Sequence, residues 1–177
     1  IKVTETTDFT FCTFRPNGKK GDIAKTRFIK SEYPPSVTAA PSNPGLKATW
    51  HEFKGNKCSE IEKAPVNGTY PVEDVMIPKK VKGNIGLIIK GYFNAPQDDI
   101  YTFALLSDDG STLTIDSEQI VDNDGPHGPK EIVGQKALAK GYHPMELRYF
   151  DQNGGQLKLK VTGSDGKEIP FTHLYAH

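Results

Sequence analysis

Two adjacent carboxylates, Asp108 and Asp109, sit in the run Ser107-Asp108-Asp109-Gly110-Ser111, and a second acidic run, Val121-Asp122-Asn123-Asp124-Gly125, follows shortly after it. Together these segments are rich enough in oxygen to hold a hard cation or to bind sugar hydroxyls. Successive side chains of a strand point to opposite faces, so Asp108 and Asp109 diverge on a regular hairpin. Aiming both at one ligand needs a distorted backbone, of which a non-proline cis peptide is one form. The plainer reading is turn chemistry, with Gly110 free to take positive φ and an Asp side chain accepting from backbone amides.

The second acidic run invites comparison with a helix-loop-helix calcium site, and the register fails. With Asp122, Asp124, Gly125 and Glu131 at positions 3, 5, 6 and 12, the first ligand position falls on Ile120, and Pro126 and Pro129 interrupt the loop. An Asx-rich surface loop is the simpler assignment, with Asn123 and Asp124 as candidate ligand contacts. His127 beside them reads as a loop hydrogen-bonder or a further contact. Hydrolysis of a glycoside needs two carboxyls facing each other about 5 to 9.5 Å apart, an arrangement that adjacent aspartates on a hairpin do not give. Neither a nucleophile elbow, a zinc-protease helix nor a phosphate loop occurs, so no catalytic set is expected.

The elements that must position these residues are strands. The 177 residues include 17 Gly and 13 Pro, and no long segment has helical periodicity, which points to an all-β protein with many turns. Strands are expected over 46–53, 81–93, 99–107, 112–117, 119–121, 135–138, 142–150 and 156–162, a spacing that suits an antiparallel β-sandwich or flattened barrel. Leu157, Leu159 and Val161 alternate with Lys158 and Lys160, placing one face on the core. Trp50 is in phase with Leu46 and Ala48 and is expected beside them in the core. Asn153-Gly154-Gly155 and Asp165-Gly166 are turn signals. Between Ser31 and Gly45 four prolines mark a linker, 31–44. Upstream of it, 8–14 and 24–29 form a hairpin around Pro16-Asn17-Gly18-Lys19, too small to stand as a domain.

Lys plus Arg and Asp plus Glu both number 22, so no long-range field favours nucleic acid. No apolar run reaches the roughly 18 residues of a membrane span. The chain opens on Ile1, not Met, which suggests a piece of a larger precursor. Cys12 and Cys58 are either two free thiols or a disulfide joining the N-terminal segment to the main domain; metal-ligand spacing is absent.

Residues 45 to 177 resemble the protective-antigen (PA-fourteen) domain family. The resemblance runs through Pro44-Gly45-Leu46, Gly91-Tyr92-Phe93 with Ala95-Pro96, Tyr101-Thr102-Phe103, Ser107-Asp108-Asp109-Gly110-Ser111, Leu113 with Ile115-Asp116, Val121-Asp122-Asn123-Asp124-Gly125, and Gly141-Tyr142-His143-Pro144 before Tyr149-Phe150. It implies a β-sandwich or flattened barrel that serves as a carbohydrate-binding or targeting module, or as a purely structural module packed on a catalytic domain. It also implies that Asp108 and Asp109 coordinate calcium, through which sugar hydroxyls bind. Residues 1 to about 30 resemble the closing half of the C-terminal domain of bacterial chitobiases and β-hexosaminidases, through Ile1 to Thr6, Phe14 to Lys19 and the return strand. That second resemblance implies a secreted or periplasmic β-N-acetylhexosaminidase as parent, with the catalytic domain upstream as a partner and an N-acetylhexosamine-containing glycan as ligand.

Overall fold

The computed structural model describes residues 2–38, 43–152, 154–170 and the backbone of 174–175. The chain divides into two compact units, Ile1–Glu32 and Tyr33–His177. The first is a two-stranded antiparallel hairpin, β1 (Thr7–Phe14) and β2 (Lys20–Phe28). Its turn is closed by Gly18 N donating to Arg15 O and Lys19 N donating to Asn17 Oδ1. Cross-strand pairing puts Phe9, Phe11 and Phe28 on one face, with Phe9 stacked on Phe11 at 5.7 Å and edge-on to Phe28 at 5.5 Å.

The second unit is a sandwich of two antiparallel sheets. The smaller has β7 (Asp99–Asp108) between β10 (Lys130–Leu138) and β12 (Gln156–Thr162). The larger runs from β5 (Val66–Val72) through β4 (Leu46–Glu52), β6 (Ile85–Ala95), β11 (Gly141–Asp151) and β8 (Ser111–Ile115) to β9 (Glu118–Asn123). Short strands β3 (Asn43–Pro44) and β13 (Leu174–Tyr175) also join it beside β6. Among the described residues neither sheet closes on itself, so the all-β antiparallel sandwich expected from the sequence is what forms, and it is not a closed barrel.

Period-2 patterning builds this core. Tyr101, Phe103 and Leu105 of β7 and Leu159 and Val161 of β12 face Leu87, Ile89 and Phe93 of β6, Leu113 and Ile115 of β8, and Met145, Leu147 and Tyr149 of β11. Phe93 meets Tyr101 and Phe103 edge-on at 5.1 and 5.3 Å, linking the layers. Each such buried side chain contributes about 1.5–3 kcal/mol relative to exposure.

Three features depart from the sequence expectation. A 3-10 helix, Cys58–Lys63, covers the far side of the larger sheet with a small second core of Phe53, Cys58, Ile61, Ile88 and Phe150. A short run with two apolar contacts carries too little periodicity to announce itself. Strand β5 includes Gly68 and Pro71, residues that argue against a strand unless it lies at a sheet edge, as this one does. Trp50 keeps its phase with Leu46 and Ala48 and packs against the main core but stays half-buried, while His51, on the opposite face of β4, is buried with its ring Nδ1 2.8 Å from Ala64 O.

Cys58 is buried and free, and its thiol is pushed up by burial and then by the adjacent Asp124 carboxylate, which keeps it protonated. Cys12, half-buried on the hairpin, is free as well.

At one end of β7, Asp99 ties the start of the strand to the turn after β12. Its Oδ1 accepts from Ile100 N at 2.7 Å, and its Oδ2 accepts from Ser164 N at 3.2 Å and from Gln97 Nε2 at 3.3 Å. Burial opposes ionisation, but the bonds from Ser164, Ile100 and Gln97 prevail and hold the carboxyl below its ordinary range. The stabilisation is therefore complete above the ordinary carboxylate pKa and is lost as pH falls through the lowered folded value. Asp99→Asn is expected to cost about 1–2 kcal/mol near neutrality, and the gap between variant and wild type should shrink at about pH 3. Urea melts at both pH values check this; an equal gap at both would contradict it.

Candidate functional site

The hairpin tip between β7 and β8 carries Asp108 and Asp109, both half-buried. The peptide bond joining them is cis. Three other segments meet this tip. Tyr149 of β11 donates its hydroxyl to Asp108 O at 2.7 Å. Asp109 Oδ1 accepts from His127 N at 3.0 Å, and its Oδ2 accepts from Gln152 N at 3.4 Å. Gly110 O accepts from Phe150 N at 2.9 Å. One carboxylate thus joins the β9–β10 loop and the β11–β12 loop to the tip. The Asp108 carboxylate has no hydrogen bond among the described residues and keeps its full acceptor capacity.

Close backbone approach explains two glycines here. A Cβ on Gly155 would lie 1.7 Å from Asp108 O, and one on Gly110 would lie 2.4 Å from Phe150 Cε1 and 2.8 Å from Gly125 N. The β11–β12 loop is organised from within by buried Asp151, which accepts from Gly154 N at 3.0 Å and Gly155 N at 2.7 Å. Burial, and then the charges of Asp151, Asp108 and Asp109, push the Tyr149 hydroxyl up, so it stays a donor.

The other residues singled out by sequence lie around the tip in different roles. Asn123 is 1% exposed; its Nδ2 donates to Ser107 Oγ and Lys130 O, each at 3.0 Å, and Ser107 Oγ also meets Ser111 Oγ at 2.7 Å. Its amide therefore joins β9 to β7 and β10 beneath the tip. Asp124 Oδ1 accepts from Cys58 N at 2.8 Å and Gly125 N at 2.9 Å, holding the start of the 3-10 helix. The His127 ring meets Asn123 O at 2.9 Å and Gly128 O at 2.7 Å, so the side chain braces its own loop while its backbone amide serves Asp109.

Sequence reasoning missed Asp151 and Gln152. The turn signal at 153–155 was visible, but its position against Asp108 follows from β12 pairing with β7, in which Gln156 lies opposite Asp108. A groove of about 490 Å³ opens beside this loop, lined by Ile77, Val81, Lys82, Ile85, Gln152 and Gly155, among others. Among the described residues, no group of three or more His, Cys, Asp or Glu is arranged to hold a metal ion. A cation here would need amide, backbone or ligand oxygens in addition to the two carboxylates.

A family model described as PA14 domain matches residues 42–171. Among solved structures, the chain is similar to a PA14 sugar-binding domain from an RTX adhesin, at 15% identity and a TM-score of 0.64, over 77% of this chain and 100% of that one. It is similar to the A domain of epithelial adhesin 9 from Candida glabrata in complex with Galb1-3GlcNAc, at 13% identity and a TM-score of 0.59, over 82% of this chain and 97% of that one. A β-glucosidase from Kluyveromyces marxianus matches at 16% identity and a TM-score of 0.54, over 68% of this chain but 16% of the enzyme. No curated protein sequence matches the chain. At these identities the structural likeness establishes the fold.

Tyr149→Phe removes the hydroxyl bond to Asp108 O and is expected to lower stability by about 1 kcal/mol. Gly155→Ala forces the β11–β12 loop off the tip and should cost about 1–3 kcal/mol. Denaturant unfolding of both variants checks this; a Gly155→Ala protein as stable as wild type would contradict the close approach.

Proposed function

The chain belongs to the PA14 domain family, and from that premise we propose that it is a non-catalytic module that binds carbohydrate at the tip formed by Asp108, Asp109 and the β11–β12 loop. The observation that carries this reading is the convergence of two loops on Asp109 at the hairpin tip, beside an Asp108 carboxylate that is half-exposed and uncommitted among the described residues.

The chemistry follows from the donor set. Sugar hydroxyls donate to carboxylates in charge-assisted hydrogen bonds, roughly twice as strong as neutral ones. Asp108 offers such an acceptor directly. Asp109, oriented by two backbone amides, keeps one lone pair on each oxygen for a second hydroxyl. The Gln152 side chain donates to Gly55 O at 2.8 Å, which positions its carbonyl oxygen, an acceptor with no donor among the described residues. All these groups are hard oxygen ligands, which fits calcium, and Asp108 and Asp109 are the residues that would hold it. When bound, calcium supplies coordination positions for vicinal hydroxyls.

The similarity to a sugar-binding adhesin domain and to an adhesin domain complexed with a GlcNAc-containing disaccharide supports a glycan ligand of the N-acetylhexosamine-containing type. The match to a small part of a β-glucosidase supports a place beside a catalytic domain in an extracytoplasmic glycoside hydrolase. The resemblance of residues 1–30 points to a β-N-acetylhexosaminidase as that parent. The same match favours a second reading, a packing module without its own ligand. No helix among the described residues is long and apolar enough to cross a membrane.

A glycan array followed by calorimetry, with calcium and with chelator, tests the carbohydrate reading. Wild type is expected to bind at least one oligosaccharide, and Asp108→Asn to weaken binding about tenfold or more, equivalent to roughly 1.4 kcal/mol. Chelator should have a similar effect. Failure of wild type to bind any glycan, or undiminished binding by Asp108→Asn, would favour the packing module.

A further inference from the structure

The groove beside the tip has a charge pattern that the carbohydrate reading does not use. Its walls are the loop between β5 and β6, contributing Ile77, Val81, Lys82 and Gly83, and the end of β11 with the β11–β12 loop, contributing Asp151, Gln152, Gly154 and Gly155. Gln152 and Gly155 belong to the groove and also approach Asp109 and Asp108, so the groove adjoins the tip. The β5–β6 loop is anchored where it lines the groove. Pro78 and Val81 are buried, and Val81 N donates to Pro78 O at 2.9 Å. Between buried Val81 and Gly83, Lys82 is exposed and has no ion pair among the described residues. Lys79 and Lys80 precede it, both exposed, and no carboxylate lies within 78–83.

Across the groove the facing acid is Asp151, whose oxygens are occupied by the amides of Gly154 and Gly155. Lys82 is therefore the cation presented to the groove, over an apolar floor of Ile77, Val81 and Ile85. Apolar walls suit the C–H face of a pyranose ring, and an ammonium carried on an anchored loop suits an anionic substituent on it.

Given glycan binding at the tip, on which this inference rests, we propose that the ligand is an acidic glycan whose negatively charged group lies against Lys82 while its hydroxyls engage the Asp108–Asp109 tip. The ammonium is a point charge, so carboxylate and sulfate esters share the chemistry that it recognises. An exposed pair of this kind is a modest contribution that salt screens. It therefore sets preference and leaves the main affinity at the tip.

The test uses the whole chain and matched oligosaccharides: uronate against its methyl ester, sialylated against desialylated, and sulfated against desulfated. Binding is measured by calorimetry at about 50 mM and about 500 mM salt. The acidic member of at least one pair should bind about three- to fivefold tighter at low salt, and the pair that responds identifies carboxylate or sulfate as the source. Lys82→Gln should bring the acidic-to-neutral ratio close to one, and Lys82→Glu should invert it. Equal affinities within every pair, or a preference unchanged in Lys82→Gln, would overturn the proposal. In that outcome, loss of binding in Asp108→Asn would show that the tip still binds glycan. Absence of binding to every oligosaccharide would overturn the acidic-glycan proposal together with the carbohydrate reading on which it rests.

Discussion

One carboxylate, that of Asp109, organises the end of the sandwich that carries the candidate site. Its two oxygens accept backbone amides from two different loops, His127 N from the β9–β10 loop and Gln152 N from the β11–β12 loop. A bond to an ionised acceptor is worth about 1.5–3 kcal/mol, and a partly buried amide left without an acceptor costs a comparable amount. Without this carboxylate the two loops have no common anchor, and the neighbouring Asp108 loses the surroundings that hold it at the surface. Tyr149 reinforces the same point from β11 by donating to Asp108 O.

The anchor works because the strands beneath it are fixed by ordinary means. Alternating apolar residues on β6, β7, β8, β11 and β12 bury one face of each sheet, and that pattern sets the register, since a one-residue slip would turn Phe103 and Leu105 to solvent. Beneath the tip, Ser107, Ser111 and Asn123 form a small buried polar network that links β7, β8 and β9. Interior polar groups with partners restrict the alternatives open to the hairpin, where an apolar contact would permit sliding. The two apolar layers carry the stability, and the polar contacts near the tip give it one shape.

Much of this was legible in the sequence where the signal is local. The alternation of Leu157, Leu159 and Val161 gave β12, and the Ser107-to-Ser111 run marked the tip between β7 and β8. What could not be read depends on contacts between distant residues. Asn123 looked like a surface ligand because Asx-rich loops usually are; its burial follows from its pairing opposite Ser111. Gln152 sits in a segment read only as a turn, and its approach to Asp109 spans strands that the sequence does not order. The burial of His51 on the outer face of β4, where its ring meets Ala64 O, depends on the chain after β4 folding back over that face and has no signal in β4 itself. The groove with Lys82 needs the β5–β6 loop to fold against the β11–β12 loop, another long-range event.

The account reduces to the proposal that one end of the sandwich is a recognition surface, built from Asp108, Asp109 and the β11–β12 loop, while the opposite end, around Asp99 and the turn at 163–166, ties β7 to the turn after β12. The most direct measurement is an amide chemical-shift titration of the isotopically labelled chain with a mixed pool of oligosaccharides. The account predicts saturable shifts at Asp109, His127, Gln152 and Gly155, with Ile100 and Ser164 unmoved. Shifts confined to the opposite end, or no saturable shift anywhere, would contradict it.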